Sequence, residues 1–140
     1  MPRFVVHEHH AAHLHFDFRL EMRGVLKSWA VPKGPSMNPK EKRLAIMVDD
    51  HTLDYGSFEG IIPEGQYGAG TVLIWDSGDY AILGGGIPQG KIEFILEGKK
   101  LKGSFVLTKM KERKKEWLLI KKRDEFADDD FIMINVRTLA

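Results

Sequence analysis

The sequence predicts an all-β, or mainly β, fold: a compact closed antiparallel β-barrel of about eight strands with long loops over one end. Three observations carry this. From Leu14 to Glu21 apolar and polar residues alternate strictly, the period of a strand with one buried face. Fourteen glycines divide the chain into short runs rich in Val, Ile, Leu, Phe and Trp. Nearly every run is too short or too strictly alternating for a helix, and about eight short antiparallel strands close most simply into a barrel or sandwich.

In order, strands are expected at 4–8, 14–22, 25–31, 44–49, 71–75, 91–96, 103–107 and 116–122. The second has an oily side of Leu14, Phe16, Phe18 and Leu20 and a polar side of His15, Asp17, Arg19 and Glu21. Met22-Arg23-Gly24 closes a hairpin into the third, and Asp76-Ser77-Gly78-Asp79 and Glu97-Gly98-Lys99-Lys100 read as hairpin or loop connections. Residues 54–70 mix glycines with acidic and amide side chains without clear periodicity, so a long loop is expected there, over one barrel end, of the kind that frames sites. The stretch 131–136 reads equally as a last strand packed on the barrel or as a short helix.

A chain of 140 residues, 43% of them hydrophobic, needs only one domain, spanning 1–140. With no cysteine, disulfides, thiolate zinc and nucleophilic thiols are excluded, and any metal must be held by nitrogen and oxygen. No signal pattern opens the sequence and no apolar run approaches the roughly 20 residues a membrane helix needs, so a soluble, cytoplasmic, monomeric protein is expected. The net charge is only +1, but Lys and Arg gather at 99–102 and 109–123 and acid at 124–130. Such runs are usually solvated faces and carry no functional claim by themselves.

The chemistry concentrates in the run from His9 to Arg19. On a strand, same-face residues stand roughly 6.5 to 7 Å apart, so His15 and Asp17 can converge on one ion while Arg19 reaches its ligand. A bend through Ala11 and Ala12 returns His9 over the same face, completing a two-His, one-carboxylate set that leaves coordination positions open. That set suits Mn2+, Fe2+, Co2+ or Zn2+, and the residues do not rank them. Arg19, Lys33, Arg43 and His51 add positive or proton-donating groups, and a divalent ion with several cations describes a phosphate site. His51 can serve as general acid or as a transition-state hydrogen-bond donor. Tyr55 either supports the site or satisfies a loop carbonyl. The run Gly65-Gln66-Tyr67-Gly68-Ala69-Gly70 lacks the strand-then-helix context of a dinucleotide loop, so its glycines serve turns.

Four blocks in order, His15-Phe16-Asp17-Phe18-Arg19-Leu20-Glu21, Leu26-Lys27-Ser28-Trp29-Ala30-Val31-Pro32-Lys33-Gly34-Pro35, Asp50-His51-Thr52-Leu53-Asp54-Tyr55 and the stretch from Phe58-Glu59-Gly60 to Gly70, closely resemble the 3'-phosphoesterase module of bacterial DNA ligase D and its stand-alone archaeal relatives. The resemblance covers about residues 4–122. It implies a Mn2+-dependent enzyme on a β-barrel that trims DNA 3' ends in end-joining repair. It would remove a terminal 3' ribonucleoside from an RNA-terminated primer-template and then hydrolyse the 3'-phosphate to a 3'-OH, with a DNA ligase and polymerase as partners. By matched position, His9, His15 and Asp17 would be metal ligands; Arg19, Arg43 and His51 would contact the phosphate, with Lys33 and Tyr55 near it. Ligase-fused relatives often carry an amino-terminal arm before the first strand, and Gln where this chain has His7, so phosphomonoester hydrolysis is the leading expectation. Two other classes remain compatible with the residues: a cupin-like metal oxygenase, which has no need of the cation cluster, and a catalytically silent DNA-end binding module.

Overall fold

The computed structural model describes residues 1–137. Among the described residues nine strands form one antiparallel sheet: β1 (Arg3–His10), β2 (Leu14–Met22), β3 (Val25–Val31), β4 (Arg43–His51), β5 (Gly60–Ile62), β6 (Gly70–Gly86), β7 (Lys91–Glu97), β8 (Lys102–Lys109) and β9 (Glu116–Lys121). They lie in the order β1-β2-β3-β4-β9-β8-β7-β6-β5, and a further pairing of β1 with β6 closes eight of them into the expected barrel, leaving β5 as an extra strand. No helix among the described residues is long and apolar enough to cross a membrane.

Alternation builds the interior. Phe4 and Val6 of β1, Phe16, Phe18 and Leu20 of β2, Trp29 and Val31 of β3, Phe94 and Leu96 of β7, Phe105 and Leu107 of β8 and Trp117 and Leu119 of β9 are all buried in one core. Each such side chain contributes roughly 1.5 to 3 kcal/mol by leaving water. Trp29 meets Trp117 edge-on at 5.8 Å, Phe94 stacks on its cross-strand partner Phe105 at 6.1 Å, and Phe18 of β2 reaches Phe94 of β7 at 5.9 Å, so facing walls touch.

Three expectations need correction. Asp76-Ser77-Gly78-Asp79 is not a connection but the middle of β6, which runs 17 residues. Asp76 instead accepts four backbone N–H groups, from Ser77, Lys99, Lys100 and Leu101, and so holds the β7–β8 turn from outside it. Gly78 is there because a Cβ would collide with the Glu97 carbonyl. The stretch 54–70 is not one uninterrupted loop: it contains most of a 3-10 turn (Leu53–Ser57) and all of β5, and Tyr55 packs on His7 of β1 and His51 of β4. Residues 131–136 form neither strand nor helix. They cross one end of the barrel, where Ile134 accepts from the Trp75 indole and the Val136 and Arg137 amides donate to the buried Glu8 carboxylate.

The hairpin at Met22-Arg23-Gly24 forms as expected, with Arg23 and Gly24 both at positive φ, the primed turn that matches strand twist. The basic run 109–123 lies on and between β8 and β9, across the ring from β1 and β2.

Candidate active site

The residues that alternate with the core face outward on β1–β4, and there the polar chemistry collects. Register sets it: His9 stands opposite His15, His7 opposite Asp17, and Val5 opposite Arg19. Across the next pair, Arg19 faces Ser28, and a register shift on β3 places His51 of β4 beside Leu26. An outer wall is normally wet. Here His7 is 0%, Arg19 2% and Asp17 7% exposed, because the 3-10 turn and the loop after β5 lie over them.

His9, His15 and Asp17 come together as expected, with one donor atom from each within 4.8 Å of the others. Asp17 Oδ2 lies 3.6 Å from His9 Nδ1 and 3.3 Å from His15 Nε2, spacings suited to ligands about 2.1 Å from a shared ion. The far nitrogen of each ring is already committed. His9 Nε2 donates to the Gly68 carbonyl at 2.8 Å, with that of Ala69 at 3.3 Å, and His15 Nδ1 donates to the His13 carbonyl at 3.2 Å. Carbonyls only accept, so these bonds leave the inward nitrogens free for a cation, the arrangement by which second-sphere groups orient metal-binding imidazoles. The cluster attracts positive charge even by titration: the hydrogen bond to Asp17 raises the His15 pKa against the effect of burial. Burial would raise the Asp17 pKa, yet hydrogen bonds from His15 and His9 and the charge of Arg19 hold it well below the carboxylate range.

Arg19 is the hub beside this cluster. Its Nε donates to His7 Nδ1 at 3.0 Å and its Nη1 to Ser28 Oγ at 2.8 Å, while Nη2 stands 3.4 Å from Asp17 Oδ2. His7 in turn donates from Nε2 to the Phe58 carbonyl at 3.1 Å, so it is the neutral Nε2–H tautomer. Burial and the neighbouring Arg19 lower its pKa to about 4. His51 Nδ1 lies 3.1 Å from both Arg19 Nη1 and the Asp49 carbonyl. These contacts belong to alternative tautomers: accepting from Arg19 puts the proton on Nε2, and donating to Asp49 leaves Nε2 a lone pair. Burial and Arg19 lower the His51 pKa, which favours the uncharged ring.

Tyr55 closes the group from above. Its ring stacks on Phe58 at 5.1 Å, meets His7 at 5.1 Å and His51 at 4.8 Å, and carries the Arg19 guanidinium 5.0 Å from its centroid. Of the expected phosphate contacts, then, Arg19, His51 and Tyr55 join the triad.

Lys33 and Arg43 do not. They share a separate cavity of about 510 Å³ with Pro32, Lys40, Glu41, Lys42 and Leu44. Arg43 opens β4 and His51 ends it, roughly 25 Å apart along the strand, with Arg43 toward the row of His15 and His51 in the row of Glu21. Among the described residues, neither Lys33 nor Arg43 bonds to the triad, and Arg43 pairs with Glu41 at 3.5 Å. Two residues of the site, Ser28 and Phe58, had no chemical role in the sequence reading, and His7 entered it only through the family resemblance. His7 had a usable signal, since it lies two before His9 on a strand and must share its face. Ser28 and Phe58 enter through long-range pairing that no local pattern announces.

Residues 7–109 match the family described as the DNA Ligase D 3'-phosphoesterase domain. The chain is 49% identical over 127 residues to the multifunctional non-homologous end joining protein LigD of Pseudomonas aeruginosa, covering 87% of this chain and 15% of that protein. It is 42% identical over 132 residues to LigD of Mycolicibacterium smegmatis, covering 88% and 17%. Over a shorter stretch of 77 residues it is 60% identical to LigD of Mycobacterium tuberculosis, covering 55% and 10%. The chain thus spans only a small fraction of the length of these relatives.

Proposed function

Because the chain belongs to the DNA ligase D 3'-phosphoesterase domain family, we propose that it is a metal-dependent phosphoesterase that hydrolyses a 3'-phosphate on a DNA end to a 3'-OH. Removal of a 3'-terminal ribonucleoside is the second activity of the same site. DNA end joining is the setting, as the names of the relatives suggest, with a ligase and a polymerase as partners. The observation that carries the reading is the convergence of His9 Nδ1, His15 Nε2 and Asp17 Oδ2 beside a buried, fixed Arg19.

His9, His15 and Asp17 would hold the ion, with Mn2+ first and Co2+, Zn2+ or another divalent ion as alternatives. When bound, such an ion polarises a phosphate oxygen and acidifies water. Arg19 supplies positive charge next to the ligands, and Nη2 has the most donor capacity left for a nonbridging oxygen. It is held ready by His7 and Ser28, so no side chain must be ordered when charge develops. In hydrolysis a water oxygen bonds to phosphorus, the bond from phosphorus to the 3' oxygen breaks, and that oxygen leaves with a proton. The tautomer of His51 that accepts from Arg19 presents Nε2–H for this donation. Tyr55 positions Arg19 and His51. Lys33 and Arg43 stand by register toward the His15 end of the wall, where they would contact the backbone of the bound strand.

The test is a primer-template carrying a 3'-phosphate, incubated with metal-stripped protein and Mn2+, Mg2+, Zn2+ or EDTA, with His15→Ala and His51→Ala beside it. Phosphate release that needs a divalent ion and fails in both variants is expected. Folded protein that releases none with any metal would leave a DNA-end binding module as the better reading.

A further inference from the structure

The loop between β5 and β6 holds the metal-ligand candidate His9 through the Gly68 and Ala69 carbonyls. It is built from two successive turns, Gln66 N to Pro63 O at 3.2 Å and Ala69 N to Gln66 O at 3.1 Å. Gly65 and Gly68 take the positive φ values, 86° and 77°, that such tight reversals require. Between them stands Tyr67, which is 89% exposed. Among the described residues its ring packs on no other ring and its hydroxyl makes no hydrogen bond, while the next residue along, Gly68, accepts from His9 Nε2 at 2.8 Å. An aromatic side chain gains most of its free energy from contact area, so a phenol left standing in water on a site's rim has a surface to offer a ligand. Its backbone is fixed by the same turns that orient His9, so the ring's anchor is placed relative to the reacting phosphate. On a nucleic-acid end, the flat apolar group next to that phosphate is the terminal base.

We infer that Tyr67 is a substrate-positioning residue whose ring stacks on the 3'-terminal nucleobase while the phosphate sits at His9, His15, Asp17 and Arg19. This rests on the reading of the site as a DNA 3'-end phosphoesterase. Stacking tolerates any base, because every base has a π-face, so Tyr67 selects for the presence of a terminal base and not for its identity.

Two measurements test this. In the first, steady-state phosphate release is followed on primer-templates whose 3'-phosphorylated terminal nucleotide either carries a base or is abasic. Tyr67→Ala raises KM roughly tenfold on the base-bearing end, with the loss in KM rather than kcat. Tyr67→Trp restores it, and on the abasic end wild type and Tyr67→Ala are alike. Equal KM values for wild type and Tyr67→Ala on the base-bearing end, or an equal loss on both ends, overturn the inference. In the second, a terminal 2-aminopurine is titrated with protein in EDTA, which reads stacking without chemistry. Quenching by wild type that Tyr67→Ala lacks supports the inference even if no phosphate is ever released, an outcome that would sink the proposed activity alone. Quenching unchanged in Tyr67→Ala overturns it while leaving the phosphoesterase intact.

Discussion

Two buried cations, Arg19 on β2 and Lys121 on β9, show how differently this barrel uses charge. They are 2% and 1% exposed. Lys121 directs its ammonium to the carbonyls of Ser104 and Lys122 and to Asp124, at 3.2, 2.9 and 2.6 Å, so its three protons meet three acceptors. Arg19 sits instead among His7, His51 and Asp17, groups that titrate, and retains donor capacity at Nη2. A saturated buried charge fastens a chain segment, here the turn after β9. An unsaturated one amid imidazoles and a carboxylate is prepared for something that arrives later.

That contrast can be broken by experiment. Arg19→Met should lower kcat/KM for phosphate release on the order of 10²- to 10³-fold, the usual loss when one preorganised donor to a developing charge is removed. A variant with near wild-type turnover would return Arg19 to the same class as Lys121.

His7 sharpens the comparison through pH. Its folded pKa, about 4, lies below the ordinary 6.5, so the unfolded chain binds the proton first as pH falls. The neutral ring's stabilisation is therefore full above 6.5 and is lost progressively between 6.5 and 4, by about 3 kcal/mol in all. Denaturant unfolding of the metal-free protein across that window reads this directly. In His7→Gln, whose amide can still accept from Arg19 and donate to Phe58, that portion of the slope should vanish while activity persists. Slopes that match wild type would mean His7 is not the buried neutral group described.

Lys121→Met should cost about 2 kcal/mol of stability, from lost charge-assisted hydrogen bonds, and leave phosphate release at the wild-type rate below the melting transition. Reduced turnover in folded Lys121→Met would blur the distinction.

How much of this could be read from the chain depends on the range over which each feature is decided. β2 was legible because its pattern is local: Phe16, Phe18 and Leu20 go inward and His15, Asp17 and Arg19 outward. The triad followed from that alternation and a short return to His9. What stayed hidden was set by distant pairing. Nothing near Asp17 shows that Tyr55 and Phe58 will roof it, so an outward face became a nearly dry one. Asp76 and Gly78 have turn composition because they serve a turn, but it is the β7–β8 turn some twenty residues on. β5, at three residues, is too short to carry a period. Lys33 and Arg43 were grouped with the site by residue type and by the family resemblance; among the described residues they share a cavity of their own and Arg43 pairs with Glu41.

The central claim is that the outer-wall cluster holds one divalent ion. Titrating metal-stripped protein with Mn2+ and following the free-ion electron paramagnetic resonance signal tests it most directly. One ion bound per wild-type chain, with binding lost in His15→Ala and in Asp17→Ala while both variants stay folded, is the expected result. Binding that survives either substitution, or no binding by folded wild type, contradicts the account.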